Sequence, residues 1–226
     1  MTGTGTGVGK TVLAGAILAA LRARGMRVRA LKPVVTGLNE PPDPDWPPDH
    51  ELLAAAASSP PEQVTAIGYG PPVSPHLAGE LAGRPIVPAQ LLEAARRAAA
   101  DCEALIVEGV GGLLVPLAGA YDVRAFAADL GLPLVIAARP GLGTINHTLL
   151  TLEAARAAGL RVAAVVLTPW PADPGEIERS NRETIARLGQ VSVATLAPIA
   201  RGTPELLAGA GAALPLDEWF SAFTAA

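Results

Sequence analysis

Short apolar runs alternate along most of the chain with segments whose apolar residues recur at helical spacing. The runs at Val28–Leu31, Leu105–Val107, Leu132–Ala137, Val162–Leu167 and Val191–Leu196 are unbroken and often β-branched. Strands of a parallel sheet have this character, because both of their faces are covered and neither needs polar residues. The Ala- and Leu-rich segments between them predict helices over Thr11–Arg24, Asp49–Ala57, Pro88–Ala100, Val123–Leu130, Thr144–Ala158 and Glu176–Leu188. This alternation predicts a doubly wound α/β fold with a mostly parallel sheet. Ligands of such sheets bind beyond the carboxyl ends of the strands. The Pro-rich stretch Pro41–Pro48 reads as a surface loop. There is no internal repeat or domain boundary, and 226 residues suit one domain spanning the chain.

Composition narrows the class. Half the residues are hydrophobic and only 4% aromatic, so the core must be built mainly from Ala, Val, Leu and Ile. A net charge of −4 gives no general attraction for nucleic acid or an anionic membrane surface. The single cysteine, Cys102, excludes an internal disulfide and fits a reducing cytosol. It has no neighbouring charge pattern to activate it. No apolar stretch is long enough to span a bilayer, and we expect a cytoplasmic protein. Positive charge rests on fifteen arginines and only two lysines, Lys10 and Lys32. Lysine offers a compact, titratable ammonium that arginine cannot supply, which draws attention to both positions.

The strongest chemical signal is Gly3-Thr-Gly-Thr-Gly-Val-Gly9-Lys10-Thr11, followed at once by a helical pattern. Glycines let successive backbone N–H groups turn toward an anion, and a helix N-terminus adds a favourable dipole. Gly7, Val8, Gly9 and Val12 would line the phosphates. Lys10 would reach the β- and γ-phosphates, and Thr11 would place its hydroxyl on Mg2+. The usual spacing has four residues between the flanking glycines, whereas Gly3 and Gly9 enclose five. Only Met1 and Thr2 precede the loop, although a phosphate-binding loop normally follows a buried strand of about five residues. We therefore expect this sequence to lack its first strand, with the start of the protein lying upstream.

Two carboxylates fit the same site. Glu108 ends an apolar run and opens the turn Gly109-Val110-Gly111-Gly112, so its carboxylate should emerge at the ligand edge of the sheet. Asp49 begins a helix and serves equally well as its N-cap or as a ligand. Lys32 stands at the carboxyl end of its strand, in the same zone. Ser74 precedes Pro75 and is sufficiently explained as a turn residue. The segment Gly143-Thr144-Ile145-Asn146-His147 opens a helix whose N–H groups suit a carboxylate, although Asn146 and His147 are also compatible with capping and packing. His50 and His76 have no metal-ligand spacing.

The longer loop, with Lys32-Pro33-Val34-Val35-Thr36-Gly37, Val107-Glu108-Gly109-Val110-Gly111-Gly112-Leu113, Gly143-Thr144-Ile145-Asn146-His147 and the shorter Ser74-Pro75-His76, resembles the dethiobiotin synthetases. The matches keep that family's order and approximate spacing from residue 2 to about residue 160. The resemblance implies a P-loop NTPase-type fold and an enzyme that joins CO2 (or bicarbonate) to 7,8-diaminononanoate, using MgATP. It also implies Thr11, Asp49 and Glu108 as Mg2+ ligands, and Lys32 as the group that holds a carbamate and steadies charge during phosphoryl transfer. Thr36 takes the place of a hydroxyl that is usually serine, and Ser74 becomes a candidate for the same pocket. The resemblance further implies a homodimer in which Gly143, Thr144, Ile145 and Asn146 reach across the interface to the substrate's tail carboxylate.

The match weakens after Val162–Leu167, where adenine-using relatives carry an Asn-Asp pair and this chain has Thr168-Pro169-Trp170-Pro171. Threonine cannot make the bidentate amide pairing that reads adenine, and Pro169 lacks a backbone donor. We expect relaxed nucleobase choice, with CTP or GTP able to replace ATP. Trp170 suits either stacking on a base or packing of its loop. From about Ser192 no site is assigned. A rival reading is a nucleotide-switch ATPase of the partitioning type, but no additional lysine precedes Lys10 and the tail Leu216-Asp-Glu-Trp-Phe is not a basic amphipathic helix. A glutamine-dependent amidotransferase synthetase would need an appended glutaminase domain, for which 226 residues leave no room.

Overall fold

The apolar runs become parallel strands because helices cover both faces of the sheet they form; Ala164, Val165, Val166 and Leu167 are fully buried. The computed structural model describes residues 1–41, 43 and 45–221, so Pro42 and Pro44 of the expected Pro-rich loop lie outside the described residues. In chain order the elements are β1 (Thr2–Gly3), α1 (Lys10–Ala23), β2 (Val28–Leu31), β3 (Val34–Val35), α2 (Asp49–Ala57), a 3-10 turn (Pro61–Gln63), β4 (Ile67–Gly68), α3 (Pro75–Leu81), α4 (Pro88–Ala100) and β5 (Ala104–Val107). There follow β6 (Pro116–Ala118), β7 (Tyr121–Asp122), α5 (Val123–Leu130), β8 (Leu134–Ala138), α6 (Thr144–Ala157), β9 (Val162–Leu167), α7 (Glu176–Gly189), β10 (Val193–Thr195), α8 (Pro204–Gly211) and α9 (Leu216–Ser221).

The sheet is mostly parallel, as the alternation predicts. One ladder runs β1–β8–β9–β10 and another joins β2 to β5, all parallel. Met1 links the two: its N–H donates to Val107 O at 2.7 Å, and Gly109 N–H donates to Met1 O at 2.9 Å. The spatial order is therefore β2–β5–β1–β8–β9–β10, with the chain leaving β1 on one side for β2 and later returning on the other for β8. That reversal opens a crevice at the carboxyl edge of the sheet, beside β1. Of the strand expected ahead of the loop, two residues, Thr2 and Gly3, pair with Ile136 and Ala137. Below them, between β5 and β8, lies an apolar cavity of about 300 Å3 lined by Leu105, Val107, Phe126, Leu134, Val135 and Trp219 among others.

Helix α1 is buried on almost every side from Leu13 to Leu21. It packs between the sheet, α2 and α8, and small residues make the approach possible. A Cβ added at Gly211 on α8 would stand 2.1 Å from Ala16 O, a backbone atom of α1. Gly211→Ala should therefore push the two helices apart and cost about 1–3 kcal/mol, read as a lower midpoint in urea with little change in slope. An unchanged midpoint would show that the contact is looser than the structure indicates.

Candidate active site

The glycine loop between β1 and α1 closes over the N-terminus of α1. Gly9 is the N-cap, at φ 89°, and its carbonyl accepts from Leu13 N–H at 3.0 Å to start the helix. That left-handed backbone favours glycine, and the space is closed as well, because a Cβ on Gly9 would meet Thr168 Cγ2 at 2.8 Å. Gly9→Ala should displace the loop's N–H groups and weaken nucleotide binding at least about tenfold, given a strain of order 1–3 kcal/mol; calorimetric titration with ADP measures it. Retained affinity would mean that the loop tolerates a right-handed residue there.

Lys10 is the first residue of α1. Its ammonium is buried and donates to Gly5 O at 2.8 Å, within the loop it is expected to serve. Burial lowers its pKa, and Lys32 adds to the effect, while Glu108 and Asp49 oppose it. One residue on, Thr11 Oγ1 donates to Glu108 Oε1 at 2.9 Å.

Two strand ends and one helix start bring the remaining groups together. Glu108 follows β5, with its N–H held by Leu31 O at 2.8 Å, and its carboxylate is fully buried. Lys32 follows β2; its Nζ donates to Glu108 Oε1 at 2.9 Å and also to Asp49 Oδ2. Burial alone would lower the Lys32 pKa, but the Glu108 and Asp49 carboxylates outweigh it and the pKa is raised. For Asp49, burial opposes ionisation, yet the charge and hydrogen bond of Lys32 and a hydrogen bond from Thr11 hold its carboxyl below the ordinary value. Asp49 is the first helical residue of α2, not its cap: Pro48 is the N-cap and no side chain caps the helix. The carboxylate faces the cleft.

This cleft has a volume of about 710 Å3 and is lined by Gly7, Gly9, Lys10, Thr11, Val12, Lys32, Thr36, Asp49, Ser74, Glu108, Val110 and Gly111. Twelve residues selected from the sequence thus share one space. Two residues expected at the nucleotide do not: Val8 is packed into the core, and Gly109 gives its N–H to Met1 O, where an added Cβ would meet Val123. Ser74 is the N-cap residue of α3 without a side-chain capping bond. Gly143, Thr144, Ile145 and Asn146 lie away from the cleft lining, at the start of α6, with Asn146 exposed and Thr144 buried against Thr148. Residues that the motifs did not single out also line the cleft, including Glu40 and Trp46. Arg139, at the end of β8, donates to Gly7 O at 2.6 Å and so stands over the loop. No motif marks Arg139; its place after a buried strand was the available signal.

The donor set fits a hard divalent cation. Mg2+ prefers oxygen ligands and usually takes only one or two carboxylates, completing its shell with hydroxyl, phosphate oxygens and water. Among the described residues no three His, Cys, Asp or Glu side chains are grouped to hold a metal without such help. Thr11, Asp49 and Glu108 supply three oxygen donors, and Glu108 Oε2 is buried with no hydrogen-bond partner. An orphaned buried carboxylate oxygen is costly, and a cation would satisfy it.

Thr168 is buried against Gly9, with its N–H bonded to Ala138 O at 2.8 Å. Trp170 packs at the edge of the cluster that contains Leu167 and Ile185. Burial pushes the Cys102 thiol pKa up, away from a reactive thiolate. Among the described residues no helix is long and apolar enough to cross a membrane.

Comparison with known proteins identifies the family. The AAA domain family matches residues 1–201. The chain is 43% identical over 190 residues to the ATP-dependent dethiobiotin synthetase BioD of Anaeromyxobacter dehalogenans strain 2CP-1, covering 83% of each chain. It is 38% identical over 222 residues to BioD of Mycobacterium sp. strain KMS, covering 96% of this chain and 90% of the other. It is 36% identical over 199 residues to BioD of Bacillus subtilis strain 168, covering 88% and 85%. Among solved structures, apo McdA of Cyanothece aligns with a TM-score of 0.54 at 13% identity, covering 92% of this chain and 88% of the other, a likeness of fold alone. With a phosphate-binding loop, two carboxylates and a strand-end lysine in one cleft, and with relatives at this level of identity, the chain belongs to the ATP-dependent dethiobiotin synthetase family.

Proposed function

We propose that this protein closes the ureido ring of dethiobiotin from 7,8-diaminononanoate, CO2 and a nucleoside triphosphate, as a cytoplasmic Mg2+-dependent ligase. The observation that carries the reading is the meeting of Thr11, Lys32, Asp49 and Glu108 beside Lys10, at the mouth of a glycine loop. The loop's N–H groups and the α1 N-terminus receive the β-phosphate. Lys10, released from Gly5 O, stabilises charge on the transferred phosphoryl group. Thr11, Asp49 and Glu108 would hold Mg2+, which would supply neutralising charge to the triphosphate.

One substrate amine adds to CO2 and loses a proton, giving a carbamate held by the Lys32 ammonium and Thr36. A carbamate oxygen then attacks the γ-phosphorus in line, and the bond to the β-phosphate oxygen breaks to release the nucleoside diphosphate. The second amine attacks the carbonyl carbon of the resulting carbamic–phosphoric anhydride, and phosphate leaves as the ring closes. With both amines on one bound molecule this last step is effectively intramolecular. No covalent enzyme intermediate is needed.

The segment Gly143–Asn146 serves the site of a second copy in a homodimer. Supporting this, the helix start lies off its own cleft, and apolar Leu142 and Leu150 beside it are 96% and 56% exposed. For the base, Thr168 is committed to packing on Gly9 and Trp170 to the core cluster that contains Leu167 and Ile185. We expect CTP and GTP to support product formation at rates within about tenfold of ATP, because no amide is present at these positions to discriminate. Parallel initial rates with each triphosphate measure this; a strict requirement for ATP contradicts it. The function itself is tested by product formation from the three substrates, with Lys10→Ala as the control.

A further inference from the structure

We propose that Lys32 is the resident counter-cation of the Asp49–Glu108 pair and surrenders both carboxylates when a divalent cation binds, so that its ammonium becomes available to the substrate only in the metal-loaded enzyme. The proposal rests on the reading of the cleft as a metal–nucleotide site. Its physical basis is competition for oxygens. The Lys32 side chain is only 6% exposed, and its ammonium touches both carboxylates. Glu108 Oε1 already accepts from both Lys32 and Thr11. These are the oxygens a hard cation needs, and a monovalent and a divalent cation a few ångströms apart repel each other strongly in a partly buried site.

The pairing is also incomplete in a way that a permanent ion pair would not be. A buried salt bridge offsets its desolvation only when the remaining lone pairs are satisfied, yet Glu108 Oε2 has no partner. Among the described residues the Lys32 ammonium has no acceptor besides Asp49 and Glu108. Once displaced it must find another, and Thr36, four residues on, lines the same cleft, where an anionic substrate would receive it. Lys10 is not part of the exchange, because it is held by a loop carbonyl and by neither carboxylate. The consequence is an order of events: the catalytic ammonium is withheld until the cation has taken its place.

Because the chain has only two lysines, their ammonium groups can be followed separately by NMR of [15N]lysine-labelled protein, assigned with Lys10→Arg. ADP with EDTA should shift the Lys10 signal and leave Lys32 in place; adding Mg2+ to saturation should then shift Lys32 and speed its proton exchange. A Lys32 signal unmoved by Mg2+ and ADP overturns the proposal. Binding of Mn2+ alone, followed by the loss of its free electron paramagnetic resonance signal, gives a second test that needs no nucleotide. Lys32→Met should bind Mn2+ at least about tenfold tighter than the unaltered protein, and Lys32→Arg should not. Equal or weaker binding by a folded Lys32→Met also overturns it. Neither readout requires turnover. Lack of dethiobiotin formation would therefore count against the function, and lack of exchange against the proposal.

Discussion

Lys10→Ala should lower the rate of dethiobiotin formation by about a hundred- to a thousandfold, since a preorganised charged donor is worth that much in the transition state. The same substitution should not destabilise the fold. The Lys10 pKa is lowered in the folded protein, with burial as the main cause, so folding disfavours its charged form at neutral pH. Removing the ammonium relieves that cost and its repulsion with Lys32, while the freed Gly5 carbonyl belongs to a residue that is only half-buried. Thermal unfolding by circular dichroism should give a midpoint equal to or above that of the unaltered protein. An inactive variant that melts much earlier would show that Lys10 supports the loop's structure instead.

Lys32→Met should also abolish activity, by about a hundredfold or more, but with the opposite effect on stability. The Lys32 pKa is raised by Glu108 and Asp49 against the effect of burial. Its charge therefore contributes stability that is present at neutral pH and is lost only as pH rises through the raised folded value. Taking it away strands the fully buried Glu108 carboxylate, at a cost of about 3 kcal/mol. Adding Glu108→Gln to Lys32→Met should restore most of the lost stability and none of the activity. A double variant no more stable than Lys32→Met would mean that the Lys32–Glu108 pair is not the source of the loss. The two lysines thus occupy one cleft with opposite electrostatic signs: one is tolerated by the fold for its chemistry, the other is part of what holds the carboxylates in place.

Where local chemistry sufficed, the sequence was readable. Gly9-Lys10-Thr11 at a helix start, Lys32 and Glu108 at strand ends, and the helices Asp49–Ala57, Pro88–Ala100 and Val123–Leu130 coincide with the structure. The residues of β3, β4, β6 and β7 escaped notice because two- or three-residue strands fall below the length at which alternation can be recognised. Helix α8 was missed for a different reason. Its Gly209 and Gly211 read as a poor helix, and their value appears only when α1 approaches closely enough to exclude a side chain. Asp49 is a second case of tertiary context deciding between equal local readings: a residue that opens a helix is normally its cap, but here the partners Lys32 and Thr11 come from distant parts of the chain. Arg139 belongs with it, being placed over the loop by the β1–β8 pairing, which joins residues more than a hundred apart.

The most direct test of the function is to incubate the protein with 7,8-diaminononanoate, [13C]bicarbonate, Mg2+ and ATP, and to follow dethiobiotin by mass spectrometry. The account predicts one labelled carbon per product molecule, stoichiometric release of phosphate, and loss of both signals in Lys10→Ala. Phosphate release without labelled dethiobiotin would contradict it, leaving a nucleotide hydrolase in place of a ring-closing ligase.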